Sequence, residues 1–296
     1  MKKDTRFLAL YLGISFGVCW GIALIYILFG EYVTPITGEL HLMHPIAIAA
    51  LYSPSIAGLI TYYAMGGMKA VGGILLKLVP RKQDWFWFPI IFAIFTLFAA
   101  SMHFGSKALG FEVPEITYTV PEMVKVGVLN LFKETGLIGG IFGWIGFLLP
   151  YLQRKLNNQI AAGLATGFLF GLWVLPGYII ASFGTTTSYI YYVIQLMCFV
   201  TFQTYIFNAT GGNLLFYLIS FWLAATGSQI QLYYFNPQVQ ILQISYFILA
   251  TIVIHLVFWK WRINHPMKIF PDFILTRRDE AGHPLGRSRE QVSGGI

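Results

Sequence analysis

Residues 135–177 read TGLIGGIFGWIGFLLPYLQRKLNNQIAAGLATGFLFGLWVLPG. Two apolar runs flank a short basic turn at Arg154-Lys155, and Trp173-Val174-Leu175-Pro176 closes the second run. Runs of about 20 apolar residues match the hydrocarbon core of a bilayer, so this stretch predicts two antiparallel membrane helices, 134–152 and 159–182. Gly163, Gly167 and Gly171 recur every four residues on the second, and Gly136/Gly140 and Gly139/Gly143 do so on the first. Small residues at that spacing allow close backbone approach. A tight hairpin is the expected result.

The rest of the chain fits the same environment. Of its 296 residues 57% are hydrophobic and 10% charged, against about 25% charged in a soluble domain; the mean hydropathy is +0.68. The expected fold class is all-α: a polytopic bundle of eight transmembrane helices, roughly 7–29, 46–66, 86–104, 134–152, 159–182, 188–208, 212–230 and 240–260. The bundle is assigned to residues 1–264 and a disordered, charged tail to 265–296. The fourth span is expected to begin earlier, as an amphipathic helix from about Pro121, and residues 67–85 are expected to form an amphipathic helix on the inner surface, where Val71, Ile74, Leu75, Leu78 and Val79 recur at helical spacing. The N-terminal apolar run is too long for a signal-peptide core and lacks a small-residue cleavage site, so it reads as a retained first helix.

Charge supplies the orientation. The formal net charge of +7 is carried by short connections and the tail rather than by any folded soluble stretch, which argues against nucleic acid as a partner. On the eight-helix layout every Lys and Arg falls on one side except Lys107, Lys125 and Lys133. The positive-inside rule then puts both termini in the cytoplasm, with Trp85-Phe86-Trp87-Phe88 as an aromatic belt at the inner interface. The expected location is a plasma membrane of prokaryotic type. Cys19 and Cys198 sit in apolar runs without zinc or disulfide spacing, and Asn208-Ala209-Thr210, a glycosylation sequon in form, falls on the cytoplasmic side. No metal or cofactor is expected.

Ionisable residues inside membrane segments are the first candidates for chemistry, and they are few: His103, Glu134 and His255. Glu134 lies about 24 Å along the helix from Pro150, whereas His255 lies about 7 Å from Lys260, so those two are at opposite depths. Glu134 and His103 share a depth and form the one conceivable pair. Gln195, Gln203 and Thr204 offer hydrogen-bonding groups but no base.

The hairpin resembles the CPBP family of intramembrane peptidases (CAAX proteases and bacteriocin-processing proteins, also called ABI). The resemblance rests on Gly143, Trp144, Gly146 and Phe147-Leu148-Leu149-Pro150, on Trp173-Val174-Leu175-Pro176, on the Asn208–Ala225 segment, and on Tyr52-Ser53-Pro54-Ser55-Ile56-Ala57-Gly58 with Gly66-Gly67. It implies an intramembrane peptidase fold over most of residues 1–230. It also implies that catalytic side chains would stand at six positions, which here carry Gly140 and Ile141 (for a glutamate pair), Ile145 (arginine), Val174 (histidine), and Phe221 and Ala225 (histidine and asparagine). Water activation needs a base within about 3 Å and an oxyanion needs aimed donors; these side chains supply neither. The expectation is a catalytically inactive member that binds or regulates another membrane protein in contact with membrane lipids. A divergent endopeptidase using Glu134 and His103, and a lipid or small-molecule binder or transporter, are the alternatives.

Overall fold

The computed structural model describes residues 2–40, 44–133, 137–180 and 186–260. Glu134, Gly136 and the tail from 265 onward therefore lie outside the described residues. Among the described residues there is no strand. The helices are α1 (Lys2–Thr37), α2 (Pro45–Leu75), α3 (Trp87–Ala108), α4 (Val120–Lys133), α5 (Ile141–Gly143), α6 (Leu149–Leu156), α7 (Gln159–Ile180), α8 (Tyr189–Ala209), α9 (Leu214–Gln229) and α10 (Pro237–Lys260), with a π-helical turn, Trp144–Leu148, joining α5 to α6. Six of them, α1, α2, α3, α7, α8 and α10, are long and apolar enough to cross a membrane.

The other two of the eight expected spans are shorter. The fourth does not run unbroken: Gly140 N–H and Ile141 N–H both donate to Leu137 O, and the helix starts again at Ile141. Apolar composition set the expected length there, but the tight turn at 137–140 takes up the first part of the run. The seventh, α9, has 16 residues, about 24 Å, against a hydrocarbon core of about 30 Å. The amphipathic helix expected near Pro121 is present as α4. Val124, Val128 and Phe132 are exposed along one side; on the other, Gly127 O accepts from Trp222 Nε1 at 2.7 Å and Asn130 Nδ2 donates to Thr226 Oγ1 at 3.1 Å.

The break in α2 falls at a glycine pair. Gly66 and Gly67 interrupt the helix, Gly67 at φ +65. The limb beyond them stays α-helical only to Leu75, with 3-10 turns at Leu76–Leu78 and Lys82–Asp84, so the helix expected over 67–85 forms only in its first part. His44 caps α2. Its Nδ1 accepts from Ile46 N–H, and its Nε2 donates to Thr37 O at 2.6 Å, closing the α1–α2 turn.

Two sets of contacts gather the connections at opposite ends of the bundle. At one end Lys77 Nζ donates to Gly211 O (2.9 Å), Arg81 Nη2 to Thr210 O (3.2 Å) and Asn213 Nδ2 to Val79 O (3.0 Å). These cations meet the Thr210 and Gly211 carbonyls just past the end of α8, close to the negative pole of its helix dipole. Gln153 Nε2 joins the same end by donating to Asn208 Oδ1 at 3.1 Å. At the other end His103 Nδ1 donates to Leu232 O (2.8 Å), Thr117 Oγ1 to Gln231 Oε1 (2.9 Å), and Ser188 N–H to Gln240 Oε1 (2.9 Å). The Tyr205–His255 hydrogen bond at 2.8 Å ties later turns of α8 and α10, so these two helices run parallel.

Candidate functional site

The 137–176 hairpin sits at the centre of the bundle, and Ile141, Ile145, Trp144, Phe147, Phe170 and Trp173 are buried. It packs in a way its glycine spacing did not predict. A Cβ on Gly163 would meet Thr201 Cα at 2.7 Å, and one on Gly167 would meet Met197 Cα at 2.5 Å, so this row faces α8. A Cβ on Gly139 would meet Leu51 O at 2.7 Å, and one on Gly143 would meet Pro54 O at 2.2 Å, so that row faces α2. The glycines thus bring the hairpin against its outer neighbours, not its two limbs against each other. Aromatic rings fill the space between the limbs: Trp144 stacks on Phe170 at 5.1 Å and 14°, and meets Trp173 edge-on at 5.8 Å. Rings of that size hold helices apart; glycines let them close.

Prolines explain the hydrogen bonds that knit α2 to the hairpin. Proline lacks an N–H and disturbs the helical ladder around it. Beside Pro54, Ser55 N–H leaves the ladder and donates to Gly139 O at 2.9 Å, while Ser55 Oγ donates to Ile138 O at 2.8 Å and accepts from Phe142 N–H. Pro150 cannot donate to Gly146 O, and the Tyr62 hydroxyl donates to it instead. Trp173 Nε1 donates to Ser15 O at 3.1 Å, anchoring α7 to α1.

The six positions singled out by the resemblance fall into two places. Gly140, Ile141 and Ile145 are buried in the hairpin, and Val174 packs against the same core. Phe221 and Ala225 line a cavity of about 100 Å³ between α3, α8, α9 and α10. Rings connect the two places: Phe170 meets Phe221 at 6.3 Å, Phe221 meets Phe199 at 5.1 Å, and Phe199 meets Phe247 at 5.1 Å. Among the polar groups around the hairpin, Trp144 Nε1 and Thr166 Oγ1 are buried and without a partner among the described residues. Neither can take a proton from water at neutral pH.

Two of the three ionisable candidates are held in hydrogen bonds, His103 to the Leu232 carbonyl and His255 to Tyr205, and Glu134 lies outside the described residues. Among the described residues no group of three or more His, Cys, Asp or Glu could hold a metal ion. Asn208 is held in the α6–α7–α8 junction, its Nδ2 donating to Gln159 Oε1 at 3.4 Å.

The cavity brings in residues that sequence reasoning passed over, chiefly Gln243, Phe98 and Phe247. Gln243 is 2% exposed, and its Oε1 and that of Gln195 are buried without a hydrogen-bond partner. An unmade hydrogen bond at a buried acceptor costs about 1–3 kcal/mol. By contrast Gln240, one turn before Gln243, uses both amide atoms on Ser188. A polar amide within an apolar helix was the available signal, but Gln240 and Gln243 carry it equally. Comparison of the chain with protein-family models finds no match, and comparison with curated proteins finds none.

Proposed function

We propose that this chain is a catalytically silent relative of the CPBP intramembrane peptidases that acts by binding a membrane partner. The observation that carries the proposal is the chemistry of the hairpin: Gly140, Ile141, Ile145 and Val174 sit in packed apolar surroundings where that resemblance calls for a base and charged donors. A side chain without a proton acceptor activates no water. We propose further that the chain makes eight membrane passes, six full-length and two short, with both termini cytoplasmic. In support, the connections bearing Lys77, Arg81 and Gln153 gather at one end of the bundle and those bearing His44, His103 and Gln231 at the other.

Photo-crosslinking in native membranes followed by co-isolation tests the binding role. A discrete membrane protein recovered equally with the wild type and with Glu134→Ala and His103→Ala supports it. Accumulation of cleaved membrane proteins with the wild type, absent with those two variants, overturns it.

A further inference from the structure

The α3–α8–α9–α10 cavity carries more than packing. Its wall is aromatic, with Phe98, Phe199, Phe221 and Phe247 meeting one another at centroid distances of 5.1 Å along the run Phe98–Phe247–Phe199–Phe221. Set into that wall are the side-chain amides of Gln195 and Gln243, each with a buried Oε1 that no donor reaches among the described residues. Buried acceptors in apolar surroundings are satisfied in native proteins by protein or by a bound molecule. Here Gln240 shows that the same helix supplies full pairing where pairing is structural. The cavity is partly open, and Ser228 and the exposed Gln229 stand on its lining.

We infer that this cavity is a binding site for a neutral, ring-sized apolar group bearing one hydroxyl. The volume, about 100 Å³, is of the order of an engineered apolar cavity of ~150 Å³ that takes up benzene. A hydroxyl brings the donor that the glutamine carbonyls lack and accepts from an amide N–H in return. Among the described residues no carboxylate, lysine, arginine or histidine lines the cavity, and a buried charge without a counter-charge is strongly disfavoured. Ammonium and carboxylate ligands are thereby selected against. The hydroxyl can belong to a bilayer lipid such as a diacylglycerol or to a free aromatic alcohol. The inference deepens the binding role proposed above and fails separately from it, because the measurement below reads ligand occupancy and is indifferent to peptide cleavage.

The test uses the full chain in phosphatidylcholine nanodiscs, with a diazirine-bearing benzyl alcohol as photoprobe and the same compound lacking the hydroxyl as control. Mass spectrometry locates the adducts. Saturable labelling of the Phe221 and Phe247 segments is expected, with the control labelling about tenfold less, the factor that one hydrogen bond provides. Gln243→Leu is expected to abolish the difference between the two probes. Ala225→Phe, which fills the cavity, is expected to abolish labelling by both, with unchanged thermal unfolding as the check on folding. Competition by dioleoylglycerol in the nanodisc assigns the site to a lipid; competition by soluble benzyl alcohol alone assigns it to a free small molecule. Equal labelling by both probes, labelling scattered over the lipid-facing helices, or competition by neither compound overturns the inference and leaves a cavity that holds water.

Discussion

Single residues decide how close the helices come, and spacing alone does not say which ones. Gly163, Gly167 and Gly171 share their four-residue spacing with Gly13, Gly17 and Gly21 of α1, yet a Cβ at any of those three α1 positions meets nothing within 4 Å. Their equal appearance in the sequence hides opposite roles, because contact depends on which helix is docked alongside. Gly143→Ala and Gly167→Ala are each expected to destabilise the protein by about 1–3 kcal/mol, the range for forcing atoms into a packed core. Gly17→Ala is expected to be neutral or slightly stabilising, since alanine is the better helix former. Apparent Tm values of the detergent-solubilised variants separate the three. A second residue-level expectation concerns Tyr62, whose hydroxyl serves the Gly146 carbonyl that Pro150 leaves unpaired. Tyr62→Phe is expected to cost about 1–3 kcal/mol for that buried acceptor, read in the same melts. Proline at 150 was visible in the sequence; the tyrosine 88 positions earlier was not, because nothing local links them.

At the scale of elements, apolar runs located the helices well and their lengths poorly. α7 and α8 coincide closely with their expected spans, whereas the expected fourth span gives way to a turn, a single helical turn, a π-helical segment and α6. Hydropathy measures burial, and Leu137, Gly139 and Gly140 are buried although residues 137–140 form a turn rather than a helix. α4 offers a test of local electrostatics. The Thr119 backbone N–H and hydroxyl both donate to Glu122 Oε2, at 2.8 and 2.7 Å, and hold this fully exposed carboxyl below its ordinary value. A depressed carboxyl stabilises the fold above its unfolded pKa of about 4.3, and that contribution is lost as pH falls through the lower folded value. Amide protection of the first turn of α4 is therefore expected to weaken on acidification below that range. Glu122→Gln should remove this dependence in hydrogen-exchange measurements, and a variant as pH-sensitive as the wild type would contradict the assignment.

For the whole molecule, composition made the membrane class legible and the basic loops suggested the orientation. The Lys77–Gly211 and Arg81–Thr210 bonds join the connections after α2 and α8 at one end of the bundle. Reporter fusions at residue 1 and in the Asn157-Asn158 turn are expected to report the cytoplasm, and a fusion near residue 115 the opposite side. The candidate site was legible only in part. Val174, Phe221 and Ala225 stood out as departures from a motif, but the unpaired amides of Gln195 and Gln243 become conspicuous only when their surroundings are seen. The central claim is that this bundle binds and does not cleave. Its most direct test is a peptidase assay on the purified protein in lipid, with transmembrane and prenylated peptides as substrates. The expected result is no cleavage above protein-free liposomes; cleavage that Glu134→Ala or His103→Ala abolishes would contradict the claim.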